Sequence, residues 1–151
     1  MYFNHDIARL IYYGAPITEK YLHKKIGFTR FYNPGAMCVP YEYELYEVST
    51  EYKAQEIKSL RYYRNQSPEG GFCEEARSPD GVYYEKTKGL PGYPDVETGD
   101  YNAIGLPKEY VNAPVMLVYI QNNLAITKTM YFVFADGTWW LAVIDDCDCS
   151  A

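Results

Sequence analysis

Apolar residues are densest between positions 113 and 145, and there they fall into three consecutive runs with the period of strands. The last two runs are joined by Asp136-Gly137, a preferred dipeptide for a two-residue type I′ hairpin, because both central positions need positive φ. That turn predicts a register. Phe134 faces Trp139, Phe132 faces Leu141 and Met130 faces Val143; on the other side Val133 meets Trp140, Tyr131 meets Ala142 and Thr129 meets Ile144. One face is wholly apolar and the other mostly so, which predicts a sheet covered on both sides. The expected strands are 113–120, 126–135 and 138–145. Register between the first two stays open, since both alternating sets of 115–120 are largely apolar.

The N-terminal third has helical spacing instead. Phe3, Ile7, Leu10 and Ile11 form one stripe on a helix ending near Gly14. After Pro16 a second, short helix is expected, with Thr18 as N-cap, Ile17 and Leu22 as a hydrophobic staple, and Glu19 in the first turn. Lys24 and Lys25 then fall in its last turn and Gly27 just past it. Residues 33 to 40 are turn material. Tyr41 to Val48 reads equally as an acidic edge strand or as the opening of a helix. From Thr50 the spacing of Ala54, Ile57 and Leu60 predicts a helix ending near Arg64, and Val82 to Glu85 a short strand. Residues 88 to 107, with three Pro and four Gly, form a long loop. Its Leu90, Tyr93, Tyr101 and Ile104 predict that it packs on something. The fold class expected is therefore α+β, with N-terminal helices packed on a curved antiparallel sheet ending in a three-strand meander. Residues 1–151 form a single domain.

Composition adds one unusual number, 18 Tyr in 151 residues. Tyrosine carries a large apolar body with a polar tip, which suits half-buried positions, interfaces and pocket walls. The formal net charge of −6 argues against nucleic acid, which needs a basic face to release phosphate counterions. No stretch reaches the length of a membrane-spanning helix. Asp6 and Arg9 interrupt the only apolar segment near the start, so it does not read as a signal peptide. The protein is expected to be cytoplasmic or, with its export signal absent from this sequence, periplasmic or secreted.

Cys38, Cys73, Cys147 and Cys149 bear on that choice. Four cysteines allow three pairings. A bridge within the nearly adjacent Cys147 and Cys149 would be strained, so at least one disulfide from Cys38 or Cys73 to the C-terminal pair is expected, with an extracytoplasmic location. Four free thiols are the alternative, and four-thiolate zinc lacks the paired C-x-x-C knuckles.

Catalytic patterns are sparse. His5 and His23 both fall in the expected helices without an elbow motif or local signature beside them. Gly70-Gly71 lacks the context of a phosphate loop. Asp95, Glu97 and Asp100 do not follow the calcium-loop order, and the terminal Asp145-Asp146-Cys147-Asp148-Cys149 reads as a polar strand end, so no metal or cofactor is expected. The strand interiors carry no acid for acid–base work. Glu42, Glu44 and Glu47 stay open as acid–base candidates, and on an edge strand they would equally serve to prevent edge-to-edge pairing.

The order of elements, together with the closing hairpin in which Gly137-Thr138-Trp139-Trp140-Leu141 begins the last strand, resembles the nuclear-transport-factor-2-like cone fold. Within it, the chain is similar to small exported bacterial proteins of unknown function. The resemblance implies a pocket between helices and a concave sheet, and often a dimer through the other face. It carries over no catalytic residue. Two functions follow as expectations. The first is a non-catalytic binding protein, in concrete form an immunity or inhibitor protein that blocks a basic toxin or cell-wall hydrolase. Its contacts would be Tyr41, Glu42, Tyr43, Glu44, Tyr93, Asp95, Glu97 and Tyr101. The alternative is a small apolar ligand, or an enzyme's substrate, in a cone lined by Phe132, Phe134, Trp139 and Leu141.

Overall fold

The computed structural model describes residues 19–32, 39–42, 61–69, 77–95, 97–122 and 125–145. Nine strands run through them: β1 (Thr29–Tyr32), β2 (Val39–Glu42), β3 (Tyr62–Arg64), β4 (Gly81–Thr87), β5 (Gly92–Pro94), β6 (Tyr101–Ala103), β7 (Val115–Asn122), β8 (Ala125–Ala135) and β9 (Thr138–Asp145). Seven of these form one sheet in the order β2-β1-β9-β8-β7-β4-β3, and β5 and β6 pair as a separate hairpin.

This corrects the expected α+β class. Among the described residues the helical elements are two 3₁₀ turns, Glu19–Tyr21 and Lys108–Tyr110, and the fold is predominantly β. The expected second helix is reduced to the first of these turns, followed by an α-turn in which Gly27 N–H donates to His23 C=O at 2.9 Å. Gly27 does end that turn in the left-handed region, at φ 77°. The ten residues between Pro16 and Gly27 are fewer than an isolated helix needs to offset its nucleation cost, and the sheet decides their shape instead. The expected helix ending near Arg64 is also overturned at its end, because Tyr62–Arg64 is β3. Nor is the sheet wholly antiparallel: β1 runs parallel to β9, and β3 parallel to β4. The helix expected over residues 3–14, Tyr43 to Val48 and all four cysteines lie outside the described residues.

The C-terminal meander is where it was expected, within two residues at each end. Asp136 and Gly137 take φ values of 51° and 83°, as a type I′ turn requires. Phe134 faces Trp139, Val133 faces Trp140 and Phe132 faces Leu141. Beyond Leu141 the expected pairs fail. A bulge at Ala142 shifts the ladder, so that Tyr131 faces Val143, Met130 faces Ile144 and Thr129 faces Asp145. One extra residue exchanges the faces of everything after it. Ile144 therefore joins Met130, Phe132 and Leu141, while Val143 joins Val133 and Tyr131. The open register of β7 is settled by Val115 facing Val133 and Val118 facing Met130.

Both faces of the sheet are covered. On the first, Val118, Met130, Phe132 and Leu141 are fully buried, and Leu22 and Phe28 close over them from the segment before β1. On the second, Val115, Val133, Ala142, Val143 and Phe31 lie under Leu90, Tyr93, Ile104 and Leu106. The long Pro- and Gly-rich stretch thus packs against the sheet, as its apolar residues predicted, and it contains the β5–β6 hairpin. Burying each large side chain of this core contributes about 1.5–3 kcal/mol.

Candidate functional site

Two constellations of polar side chains stand out, one at the β8–β9 turn and one on the β5–β6 hairpin.

At the turn, Asp136 meets His23 and Tyr110. His23 Nδ1 accepts from the backbone N–H groups of Lys25 and Ile26, at 3.2 and 3.3 Å. A nitrogen facing two donors carries no proton, so the hydrogen sits on Nε2, which donates to Asp136 Oδ2 at 2.7 Å. Tyr110 donates its hydroxyl to the same carboxylate at 3.0 Å. Edges and faces of Trp140 and Tyr110 enclose the imidazole, with ring centroids 5.1 and 5.2 Å away. The Trp140 indole is fixed in turn, donating to Ala135 C=O at 2.8 Å. The hydrogen bonds from His23 and then Tyr110 hold the Asp136 carboxyl below the usual carboxylate range. Beside them, Lys25 Nζ reaches both oxygens of Glu109 at 3.1 Å, an exposed pair of little energetic weight.

This arrangement positions the segment before β1. A general base needs a free lone pair within reach of a substrate. Here the lone pair of Nδ1 is given to the backbone and the Nε2 proton to Asp136. His23 is a tie between the segment before β1 and the hairpin turn. Local sequence offers no signal for it, because the partners are 113 positions apart. Among the described residues, no three His, Cys, Asp or Glu side chains converge as a metal site would require.

On the hairpin, Asp95 organises the connection between β5 and β6. Its Oδ1 accepts from the backbone N–H of Glu97 at 2.8 Å and of Thr98 at 3.0 Å, and Gly99 N–H closes the turn onto Asp95 C=O at 2.9 Å. Gly99 adopts φ 74° there. The backbone N–H groups of Thr98 and Glu97 hold the Asp95 carboxyl below its ordinary range. Asp95 is thus an internal cap, whereas Glu97 and Asp100 are exposed.

Tyr101 is the large side chain this hairpin presents, with 73% of its surface exposed. It is nevertheless fixed in place. Its ring lies over Gly92, where a Cβ would collide with it, and its hydroxyl oxygen accepts from Gly92 N–H at 3.1 Å. The neighbouring Tyr93 turns inward and packs on Phe31, with centroids 6.1 Å apart. The hairpin is therefore anchored by one tyrosine and displays the other.

The remaining expected residues fall as follows. Tyr41 and Glu42 belong to β2, at one end of the strand order. Tyr43 and Glu44 lie outside the described residues, as do Cys38, Cys73, Cys147 and Cys149. Phe132, Trp139 and Leu141, expected to line a pocket, are 0%, 3% and 0% exposed and packed with Leu22 and Phe28. Phe134 packs against the same group, edge-on to Trp139 at 5.2 Å. Among the described residues no helix is long and apolar enough to cross a membrane. When the chain is compared with family models, curated proteins and solved structures, none of them matches it.

Proposed function

We propose that this protein is a non-catalytic binding module that engages a basic protein partner through the β5–β6 hairpin. The observation that carries the reading is Tyr101, an aromatic ring that is 73% exposed and yet immobilised on Gly92. A contact residue that is already ordered loses little entropy on binding, and tyrosine is among the side chains that dominate binding energies. Glu97 and Asp100 stand exposed beside it, and the net charge of −6 steers a cationic partner toward the chain. A guanidinium or ammonium group laid on the free face of the ring would gain cation–π attraction along with these carboxylates.

In concrete form the partner is a basic toxin or a cell-wall hydrolase, and the protein is its immunity or inhibitor protein, acting outside the cytoplasm. The engagement of both ring nitrogens of His23 supports the non-catalytic part of this reading.

The test is affinity capture at low salt from the producing organism and its competitors, with the wild type and Tyr101→Ala side by side. The expected result is a basic protein retained by the wild type, released as salt rises, and bound at least about tenfold more weakly by the variant. Capture of the same proteins equally by both would reject the hairpin as the contact. Recovery of no basic protein would reject the inhibitor form.

A further inference from the structure

Buried polar atoms are almost always paired, and each exception calls for a cause. Among the described residues, two buried side-chain oxygens are without a hydrogen-bond partner, Gln121 Oε1 and Thr129 Oγ1. Gln121 is 0% and Thr129 5% exposed. The amide of Gln121 is not free to turn round. Its Nε2 donates to Ser78 C=O, and only the NH₂ end can face a carbonyl oxygen, so Oε1 is directed elsewhere.

The two residues lie close to one another by register. Thr129 lies opposite Tyr119 across the β7–β8 ladder, and Gln121 is two residues beyond Tyr119 on β7. Alternation along the strands puts Gln121, Tyr119 and Thr129 on the second face of the sheet. In a regular ladder such diagonal neighbours have backbones about 7–8 Å apart and side chains closer; here β8 carries one extra residue just before Lys128, where the register shifts between Ile120 and Gln121. An oxygen hydrogen-bonded to both side chains would hold their oxygens about 4.5–5.5 Å apart, a span the long arm of Gln121 can meet.

We propose that Gln121 and Thr129 form a binding site for one neutral hydroxyl group, which donates its hydrogen to Gln121 Oε1 and accepts from the Thr129 hydroxyl. Gln121 Oε1 has only lone pairs to offer, so a carboxylate or another bare acceptor is refused. The hydroxyl belongs either to a single buried water or to a small polyol whose carbon skeleton rests on the tyrosine rings. The two share the same hydrogen bonds.

Thr129→Val tests the site, because it removes the hydroxyl and keeps the shape. Replacing an orphaned hydroxyl with a methyl leaves Tm unchanged or raises it, whereas breaking a satisfied hydrogen bond lowers Tm by about 2–4 °C. A fall of that size is expected. It should be accompanied, in a high-resolution crystal structure of the wild type, by an oxygen within hydrogen-bond distance of both side chains. A single isolated oxygen identifies water; connected density, with added mass in native mass spectrometry, identifies a polyol. A Tm that is unchanged or raised, or a fall without an oxygen bridging the two side chains, overturns the proposal.

Discussion

His23 donates from Nε2 to Asp136 Oδ2 across 2.7 Å, and through this bond the segment before β1 is tied to the turn that joins β8 to β9. The residues on either side of the tie carry the cover of one sheet face, since Leu22 and Phe28 pack on Phe132 and Leu141. One side chain thereby registers a short, weakly helical segment against the most strongly determined hairpin in the chain. Tyr110 adds its hydroxyl to the same carboxylate and brings in the 3₁₀ turn Lys108–Tyr110.

Asp136 makes the stability of this junction depend on acid. Its carboxyl is depressed in the folded protein by hydrogen bonds from His23 and then Tyr110. A depressed carboxyl contributes stability that is complete above the unfolded value of about 4 and is lost as pH falls through the folded value. Asp136→Asn keeps a residue that tolerates φ 51° while removing the charge. Urea midpoints measured from pH 7 down to pH 2 should show the wild type more stable at neutrality and its lead shrinking below about pH 4. Parallel curves would mean that the carboxylate is not held by these bonds.

The bulge at Ala142 is testable by NMR. Cross-strand contacts should pair Tyr131 with Val143 and Met130 with Ile144, in place of Met130 with Val143. Deleting Ala142 removes the extra residue and leaves Val143 opposite Tyr131 and Ile144 opposite Met130, so the same side chains stay buried on the same faces. Only the small buried side chain of Ala142 is lost, so the deletion should cost less than about 3 kcal/mol in denaturant unfolding and keep both cross-strand contacts. A deletion variant that loses the Tyr131–Val143 and Met130–Ile144 contacts would show that Ala142 is not the extra residue.

Gly92 holds the displayed tyrosine. A Cβ there would stand 2.7 Å from Asn102 C=O and would strike the Tyr101 ring, so Gly92→Ala must displace that ring. The Hα resonances of Gly92 should be shifted upfield in the wild type by the ring current and lose the shift in Tyr101→Leu. Gly92→Ala should weaken partner capture about as much as Tyr101→Ala while leaving the core meander intact. Undiminished capture by Gly92→Ala would separate the ring's fixed position from its role in binding.

At the alkaline end, Tyr131 is the group to follow. Burial first, then the proximity of Tyr119, Asp145 and Tyr101, raises its hydroxyl to about 12. A raised value means that its contribution is complete below the unfolded value near 10 and is lost as pH climbs toward about 12. Tyr131→Phe should flatten the stability profile over that window, as read by urea midpoints. An unchanged alkaline limb would place Tyr131 in water.

Much of the hairpin was legible because its determinants are local. Asp136-Gly137 selects a turn, and the turn selects a register that holds for Phe134, Val133 and Phe132. The bulge was not legible, because Leu141 to Ile144 are all apolar and either register buries them. The expected helix at 18–26 failed for a related reason. Thr18, Leu22 and Gly27 carry helix signals, but a segment this short takes its shape from the His23–Asp136 tie and from the sheet beneath Leu22 and Phe28. Tyr93 and Tyr101 sit eight residues apart in one loop, and nothing in their local sequence says which turns inward.

By itself, then, the sequence determined the closing meander, its Asp-Gly turn, a sheet apolar on both faces and the packing of residues 88–107 against it. These follow from side-chain period and turn chemistry, which act over a few residues. Tertiary structure alone decided the parallel placement of β1 and β3, the exchange of faces after Ala142, the His23–Asp136–Tyr110 junction and the exposure of Tyr101. Each of those depends on a partner far along the chain. A sequence records that partner's chemistry without recording its position.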